Sequence, residues 1–220
     1  MVLRYNPRVA GTLVVSEIYL SLQGESTFAG LPCVFVRLTG CDLRCSWCDT
    51  AYAFNGGNQM ALEEIRGEIE KQAEGYPGPP LVEITGGEPM LQKETPALMA
   101  GLCDDGYTVL LETSGAHDLT GLDPRVHRII DLKCPASGEH ERNHWANFQD
   151  LRPSDEIKAV IATHDDYTWA KSQLHRINGA CPVLFSWAAP LADDQKDPSL
   201  KPIPAGHTPI TRRELAEAVI

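Results

Sequence analysis

Short apolar runs alternate with amphipathic stretches along most of this 220-residue chain. Thr12–Ser21 alternates loosely and predicts a strand, and Leu22–Leu31, with its Gln-Gly-Glu and Ala-Gly, a loop. Pro32–Leu38 predicts a strand with Val34, Val36 and Leu38 on one face and Cys33, Phe35 and Arg37 on the other. Ala61–Ala73 has Leu62, Ile65 and Ile69 at helical spacing. Gly67 weakens that helix, and Gly75-Tyr76-Pro77-Gly78-Pro79-Pro80 ends it. Leu81–Thr85, Tyr107–Thr113, Arg128–Leu132, Glu156–Ala162 and Pro182–Ser186 read as further strands. Helices are expected near Thr95–Cys103 and over Asp165–Ile177, with a weak one at Trp145–Leu151. Ala189–His207 is a Pro- and Asp-rich loop. Thr211 caps a last helix to Ile220, with Glu214 at the capping-box position.

Short apolar strands alternating with helices indicate parallel βα units. About six follow from Pro32 onward, and a closed eight-stranded barrel typically needs ~250 residues. The expected architecture is therefore α/β, an open partial TIM-type barrel of about six parallel strands with fewer helices. The expected domain plan is one core over residues 1–220, with residues 189–220 forming a terminal loop and helix. Functional residues belong at the C-terminal ends of the strands. The cysteine loop after Leu38, Gly86-Gly87, Thr113-Ser114 and Lys133 all fall there.

Composition narrows the classes. Hydrophobic residues make up 43% and the net charge is -11, which suits a globular chain and gives no basic face for nucleic acid. No run approaches the ~18 apolar residues of a membrane span. Met1 to Gly11 lacks the apolar core of an export signal. Seven cysteines in a chain of this size suit a reducing, cytoplasmic setting without a disulfide framework. Cys33, Cys103, Cys134 and Cys181 read as buried apolar fillers.

Cys41, Cys45 and Cys48 have the spacing C-x3-C-x2-C, with Trp47 before the last. Three thiolates on one loop hold three irons of a [4Fe–4S] cluster, which usually takes four Cys; the fourth iron is then left open. A structural zinc site wants four ligands, commonly in two pairs, and no His precedes His117. Thr85-Gly86-Gly87-Glu88-Pro89 follows a strand. Its glycines admit close backbone approach to a ligand, and Glu88 suits an ammonium partner; the alternative is a tight turn with a solvated Glu. Glu112-Thr113-Ser114-Gly115 offers hydroxyls or a capping turn. Lys133 points into a site or sits on the surface. Glu83 and Arg37 lie on apolar strands whose facing one sequence does not fix. A buried Arg37 needs a carboxylate, from the protein or from a substrate. His140 and His144, four apart in a Gly/Glu/Asn-rich stretch, read as a solvated loop.

The cysteine loop and Thr85–Pro89 together resemble the radical S-adenosylmethionine (SAM) superfamily. Within it, Leu22-Gln23-Gly24-Glu25-Ser26, Gly40 to Thr50, Tyr52-Ala53-Phe54, Ile84 to Pro89, Glu112 to Gly115, Asp131 to Pro135 and Glu156-Ile157-Lys158 resemble the 7-carboxy-7-deazaguanine synthase family. The resemblance runs from about Val15 to Ser186. It implies a lyase that uses a [4Fe–4S] cluster, SAM and Mg2+. SAM completes the open iron, and its deoxyadenosyl radical takes a hydrogen from C6 of 6-carboxy-5,6,7,8-tetrahydropterin. The ring contracts, ammonia leaves and 7-carboxy-7-deazaguanine forms for 7-deazapurine and queuosine biosynthesis. It further implies a homodimer, an external reductant such as flavodoxin or ferredoxin, and no nucleic-acid or membrane partner.

Carried over by residue, Cys41, Cys45 and Cys48 hold the cluster and Thr50 meets Mg2+. Trp47, Cys48, Asp49, Gly87, Glu88, Ser114 and Lys133 border SAM. Leu22, Gln23, Gly24, Glu25, Arg37 and Thr85 border the pterin, with Arg37 pairing its carboxylate. No protein side chain is assigned the chemistry itself. Family members continue past a helix like Thr211–Ile220 into a segment resembling L-Q-L-H-K. Either the chain is truncated or the Ala189–His207 loop stands in. A glycyl-radical-enzyme activase and a metal-stabilised binding module are the competing readings.

Overall fold

The computed structural model describes residues 11–177 and 181–220. The N-terminal stretch read as lacking an export signal lies, up to Ala10, outside the described residues. Eight strands are described: β1 (Thr12–Leu22), β2 (Pro32–Leu38), β3 (Asn58–Ala61), β4 (Leu81–Gly86), β5 (Thr108–Thr113), β6 (His127–Asp131), β7 (Glu156–Ile161) and β8 (Val183–Trp187). The helices are α1 (Leu62–Gln72), α2 (Thr95–Asp104), α3 (His164–Gln173) and α4 (Arg212–Val219), with several short 3-10 turns. The strands form an open sheet in the order β3-β1-β2-β4-β5-β6-β7-β8. Pairings β2–β4, β4–β5, β6–β7 and β7–β8 are parallel, whereas β1 runs antiparallel to both β2 and β3. The expected α/β open sheet is present, extended by the antiparallel β1 and β3. None of the described helices is long and apolar enough to cross a membrane.

The chain divides into two compact units. The first holds the chain up to Cys41, Ala53–Glu112 and Gly121–Arg128. Here β2 and β4 bury Val34, Val36, Leu38, Val82 and Ile84 completely. The opposite face aligns Tyr19 with Phe35 and Glu83, and Glu17 with Arg37 and Thr85. This register settles which way Arg37 and Glu83 point: they share a face with Thr85. Helix α1 buries Leu62, Ile65 and Ile69 against β1 and β3, each worth about 1.5–3 kcal/mol. Glu64 Oε2 accepts from the Ala61 N–H at 2.7 Å, satisfying an orphan donor at its start.

The second unit holds Asp42–Tyr52, Thr113–Thr120 and Ile129–Ile220. Helix α3 begins with a reciprocal cap. Thr163 Oγ1 accepts from the Asp166 N–H at 3.1 Å, and Asp166 Oδ2 accepts from the Thr163 N–H at 3.1 Å. The expected helix over Asp165–Ile177 ends earlier. It tightens into a 3-10 turn at Leu174–Arg176, where the sequence runs into His175, Arg176 and the Asn178-Gly179 that follow. The weak helix at Trp145–Leu151 is a 3-10 turn over Trp145–Phe148. The last helix has the expected cap, with Thr211 and Glu214 bonded reciprocally.

Cys33, Cys103 and Cys134 are buried as expected, whereas Cys181 is only half-buried: it directly precedes Pro182 and β8, whose residues are all partly exposed. Burial, and then the neighbouring Glu83 carboxylate, pushes the Cys33 thiol up to about 12. An unfolded thiol ionises near about 8.5. Between about pH 9 and 12 the unfolded chain therefore releases a proton that the folded chain keeps. Stability should fall as pH rises there, by about 1.4 kcal/mol per pH unit. Urea midpoints across that range should show a shallower slope for Cys33→Ala; an unchanged slope would contradict this.

Candidate active site

In the first unit, β2 ends at Leu38 and Gly40-Cys41 opens the cysteine loop, while β4 ends in the turn Gly86-Gly87-Glu88. The turn lies directly on the loop. The Gly87 N–H donates to Leu38 O at 3.1 Å and the Glu88 N–H to Gly40 O at 2.7 Å. A Cβ on Gly87 would stand 2.1 Å from Gly40 O and 3.0 Å from Cys41 Cβ. Glycine at 87 is thus required by close approach of backbone to backbone. Glu88 is completely buried, and its Oε1 accepts from the Met90 N–H at 2.9 Å, capping the next turn. The solvated-Glu alternative is therefore excluded. Gln92 fastens the loop's start from the other side, donating to Thr39 O and Val14 O, both at 2.9 Å.

The polar face of the first unit gathers several residues expected near substrate. Arg37 donates through Nε to Glu17 Oε1 at 2.7 Å and through Nη2 to Tyr19 Oη at 3.1 Å. Its carboxylate partner within the protein is Glu17, and the fork is held rigid beside Thr85. Thr85 Oγ1 donates to Glu112 Oε2 at 3.2 Å. Tyr19 stacks on Phe35 with ring centroids 5.2 Å apart. Gln23 is buried, and its amide nitrogen donates to the buried Glu83. Its Oε1 accepts from the Glu25 N–H at 2.9 Å, and its backbone closes on Gly30 and Leu31, both at 2.8 Å. Gln23 thus shapes the Leu22–Glu25 loop from within. Leu22, Gly24 and Glu25 are exposed. Ser26 closes the turn with φ at 63°, a left-handed value that costs a non-glycine residue of order 1 kcal/mol.

The second unit holds Cys45 and Cys48, and it fixes Cys45 from both sides. The Arg44 N–H donates to Glu139 Oε1 at 2.7 Å, and Arg44 O accepts from the Lys201 N–H at 2.9 Å. The Ser46 N–H donates to Ser137 O at 3.1 Å, and Ser46 Oγ to Ala136 O at 2.7 Å. The segment that receives these bonds is itself anchored. Asp166 Oδ1, from the start of α3, accepts from the Ala136 N–H at 2.8 Å. Asp42 is held by His117 at 3.1 Å and by Arg142 at 2.5 Å. Burial raises the Cys45 thiol while the Lys133 cation opposes it. Thr50 Oγ1 lies 3.7 Å from Cys48 Sγ.

Lys133 is buried, not a surface residue, and its Nζ pairs with Asp131 Oδ2 at 2.5 Å. Burial works against its charge, but Asp131 and Cys45 outweigh that and raise it above the ordinary lysine value. Asp131 Oδ1 has no hydrogen-bond partner. Asn143 holds the Lys133 backbone, accepting from its N–H at 3.0 Å and donating to its carbonyl at 2.9 Å. Asn147 does the same for the loop after Ser114, bonding the backbone of Gly115, His117 and Leu119. Ser114 Oγ accepts from the Ala116 N–H at 3.3 Å, so it also serves its turn. The stretch around His140 and His144 is not simply solvated. His140 packs edge-on to Trp169, and Asn143 between the two histidines is buried.

The chemistry of the cysteine loop's donor set fits an iron–sulfur cluster. The thiols of Cys41, Cys45 and Cys48 are free of disulfides, soft ligands suited to iron. Among the described residues no three His, Cys, Asp or Glu converge to hold a single ion. In the first unit Gly87 marks a close approach of backbone to backbone; in the second, Asp131 Oδ1 is a buried acceptor with no hydrogen-bond partner among the described residues. Glu139, Asn143, Asn147, Asp166 and Lys201 were not singled out by the sequence. A buried Asn or Glu flanked by polar neighbours carries no periodic signal.

Known proteins resemble this chain in sequence and in fold. The Radical SAM superfamily matches residues 35–135. A 7-carboxy-7-deazaguanine synthase from Koribacter versatilis is 48% identical over 176 residues, covering 78% of this chain and 76% of the relative. One from Chlorobaculum tepidum is 47% identical over 178 residues, covering 79% of each. The crystal structure of QueE from Escherichia coli is similar with a TM-score of 0.65 at 25% identity, covering 80% of this chain and 83% of that one.

Proposed function

The chain belongs to the 7-carboxy-7-deazaguanine synthase family of radical SAM enzymes, and from that premise we propose how its residues divide the work. The reaction is a lyase ring contraction yielding 7-carboxy-7-deazaguanine; the substrate proposed is 6-carboxy-5,6,7,8-tetrahydropterin, with loss of ammonia. The family assignment replaces the activase and binding-module readings.

A [4Fe–4S] cluster with SAM supplies one-electron radical chemistry when bound, and Mg2+ supplies a hard Lewis acid that prefers oxygen ligands. Cys41, Cys45 and Cys48 hold the cluster. Trp47, Asp49, Gly87, Glu88, Ser114 and Lys133 border SAM, with the Glu88 carboxylate suited to an ammonium group. Thr50 offers its hydroxyl to Mg2+. Arg37, kept as a fixed fork by Glu17 and Tyr19, recognises the substrate carboxylate. Thr85, on the same face, contacts the ring. Leu22, Gly24 and Glu25 border it, and Gln23 sets their positions. The whole chain acts as one radical SAM core, works as a homodimer in the cytoplasm, and takes electrons from a flavodoxin or ferredoxin.

The observation that carries this reading is the three-cysteine loop, its middle thiol held by backbone bonds on both sides, in a chain of this family. Anaerobic reconstitution with iron and sulfide, then assay with SAM, dithionite, Mg2+ and the carboxytetrahydropterin, tests it. Turnover is expected. A protein that holds its cluster and its natural C-terminus yet makes no product would refute the proposed substrate and reaction. Thr50→Ala should need several-fold more Mg2+ for half-maximal rate while still cleaving SAM; an unchanged Mg2+ response removes Thr50 from that role.

A further inference from the structure

We propose that Glu139 and Lys201 form a positioning pair that sets both the attachment and the electrostatics of the cluster loop at Cys45. The proposal rests on the reading of Cys41, Cys45 and Cys48 as cluster ligands. Glu139 is only 4% exposed. One of its oxygens accepts from the Arg44 N–H at 2.7 Å, and the other pairs with Lys201 Nζ at 2.8 Å. Lys201 also donates its own N–H to Arg44 O at 2.9 Å and its Nζ to Gly138 O at 2.7 Å. Both backbone groups of the residue before Cys45 are therefore held by this pair. Its stem packs on Gly138, where a Cβ would stand 2.8 Å from Lys201 Cδ.

Two consequences separate this pair from ordinary packing. A buried carboxylate needs a partner, and Lys201 supplies it from the Ala189–His207 segment, so that segment fastens the cysteine loop. Glu139 also places its carboxylate on the Arg44 N–H, one residue before Cys45, so its negative charge stands on the backbone that carries that thiol. An added electron on a cluster at Cys45 meets the same field. Lys201 offsets it, so removing one member should push the cluster potential one way and removing the other should push it the opposite way.

The test uses the full chain, reconstituted anaerobically, as wild type, Lys201→Met, Glu139→Gln and Lys201→Arg. The readouts are the rate at which a ferrous chelator strips iron and the midpoint potential followed by electron paramagnetic resonance. Lys201→Met should lose iron up to about fivefold faster, the range for a half-exposed ion pair, and shift the potential negative. Glu139→Gln keeps an acceptor for Arg44 but removes the charge, and should shift it positive. Lys201→Arg should restore both readouts. Unmoved readouts in Lys201→Met, or two potentials shifting in the same direction, would overturn the pair. Lys201 is half-exposed, so Lys201→Met decides the matter even where Glu139→Gln folds poorly. A wild-type protein that holds no cluster would bring down the ligand assignment itself, and the pair with it.

Discussion

Gly87→Ala is expected to destabilise the protein by about 3 kcal/mol or more and to strip most of its iron. The added Cβ would sit 2.1 Å from Gly40 O and 2.6 Å from Gly40 C. These are backbone atoms, so no rotamer change relieves the clash. The turn and the cysteine loop must separate, which breaks the 2.7 Å bond from the Glu88 N–H to Gly40 O and displaces Cys41. Overpacking a tight site typically costs 1–3 kcal/mol, occasionally more; adding a lost buried hydrogen bond places this case at the upper end. Gly67→Ala supplies the control. It lies in α1 with nothing within 4 Å of a new Cβ, and should stabilise by about 0.5–1 kcal/mol. Urea unfolding and iron content after reconstitution measure both. A Gly87→Ala protein with wild-type stability and iron would refute the backbone contact.

Lys133→Met should be comparably severe, at about 3–5 kcal/mol, because it leaves a carboxylate buried without its cation. Asp131 already has one oxygen without a partner, and its other oxygen depends on Lys133 Nζ at 2.5 Å. The double variant Asp131→Leu/Lys133→Met removes both charges and should recover most of the lost stability. On the proposed role of Lys133, turnover should not return, since the cation near Cys45 is still gone. Thermal unfolding of the single and double variants decides the first point. A double variant no more stable than Lys133→Met would show that the pair is not the source of the loss. Recovered turnover would remove Lys133 from the site.

The sequence made the strands legible wherever apolar residues fill both faces or alternate, as in β2, β4 and β7. It hid β3, since Asn58-Gln59-Met60-Ala61 has no apolar period and exists as a strand only through pairing with β1. The helix starting at Thr211 was readable because its capping signal is local. The same local logic exposed the candidate centre: three cysteines within eight residues and a Gly-Gly turn at a strand end. The supports of that centre were not readable. Glu139 meets Arg44 across 95 residues, and the burial of such a group is set by where the chain returns, not by its neighbours. The facing of Arg37 and Glu83 likewise became clear only from the register of β1, β2 and β4.

The distance in sequence between the cysteine loop and its supports dictates an order of events during synthesis. Cys45 leaves the ribosome long before Ala136, Ser137 and Glu139, and Lys201 follows Arg44 by 157 residues. At about 5–20 residues per second that gap lasts roughly 10–30 s. During it the bonds that hold Arg44 and Ser46 on either side of Cys45 cannot all form. On the reading of Cys45 as a cluster ligand, a loop with all of its backbone supports is available for metallation only after Lys201 has been made.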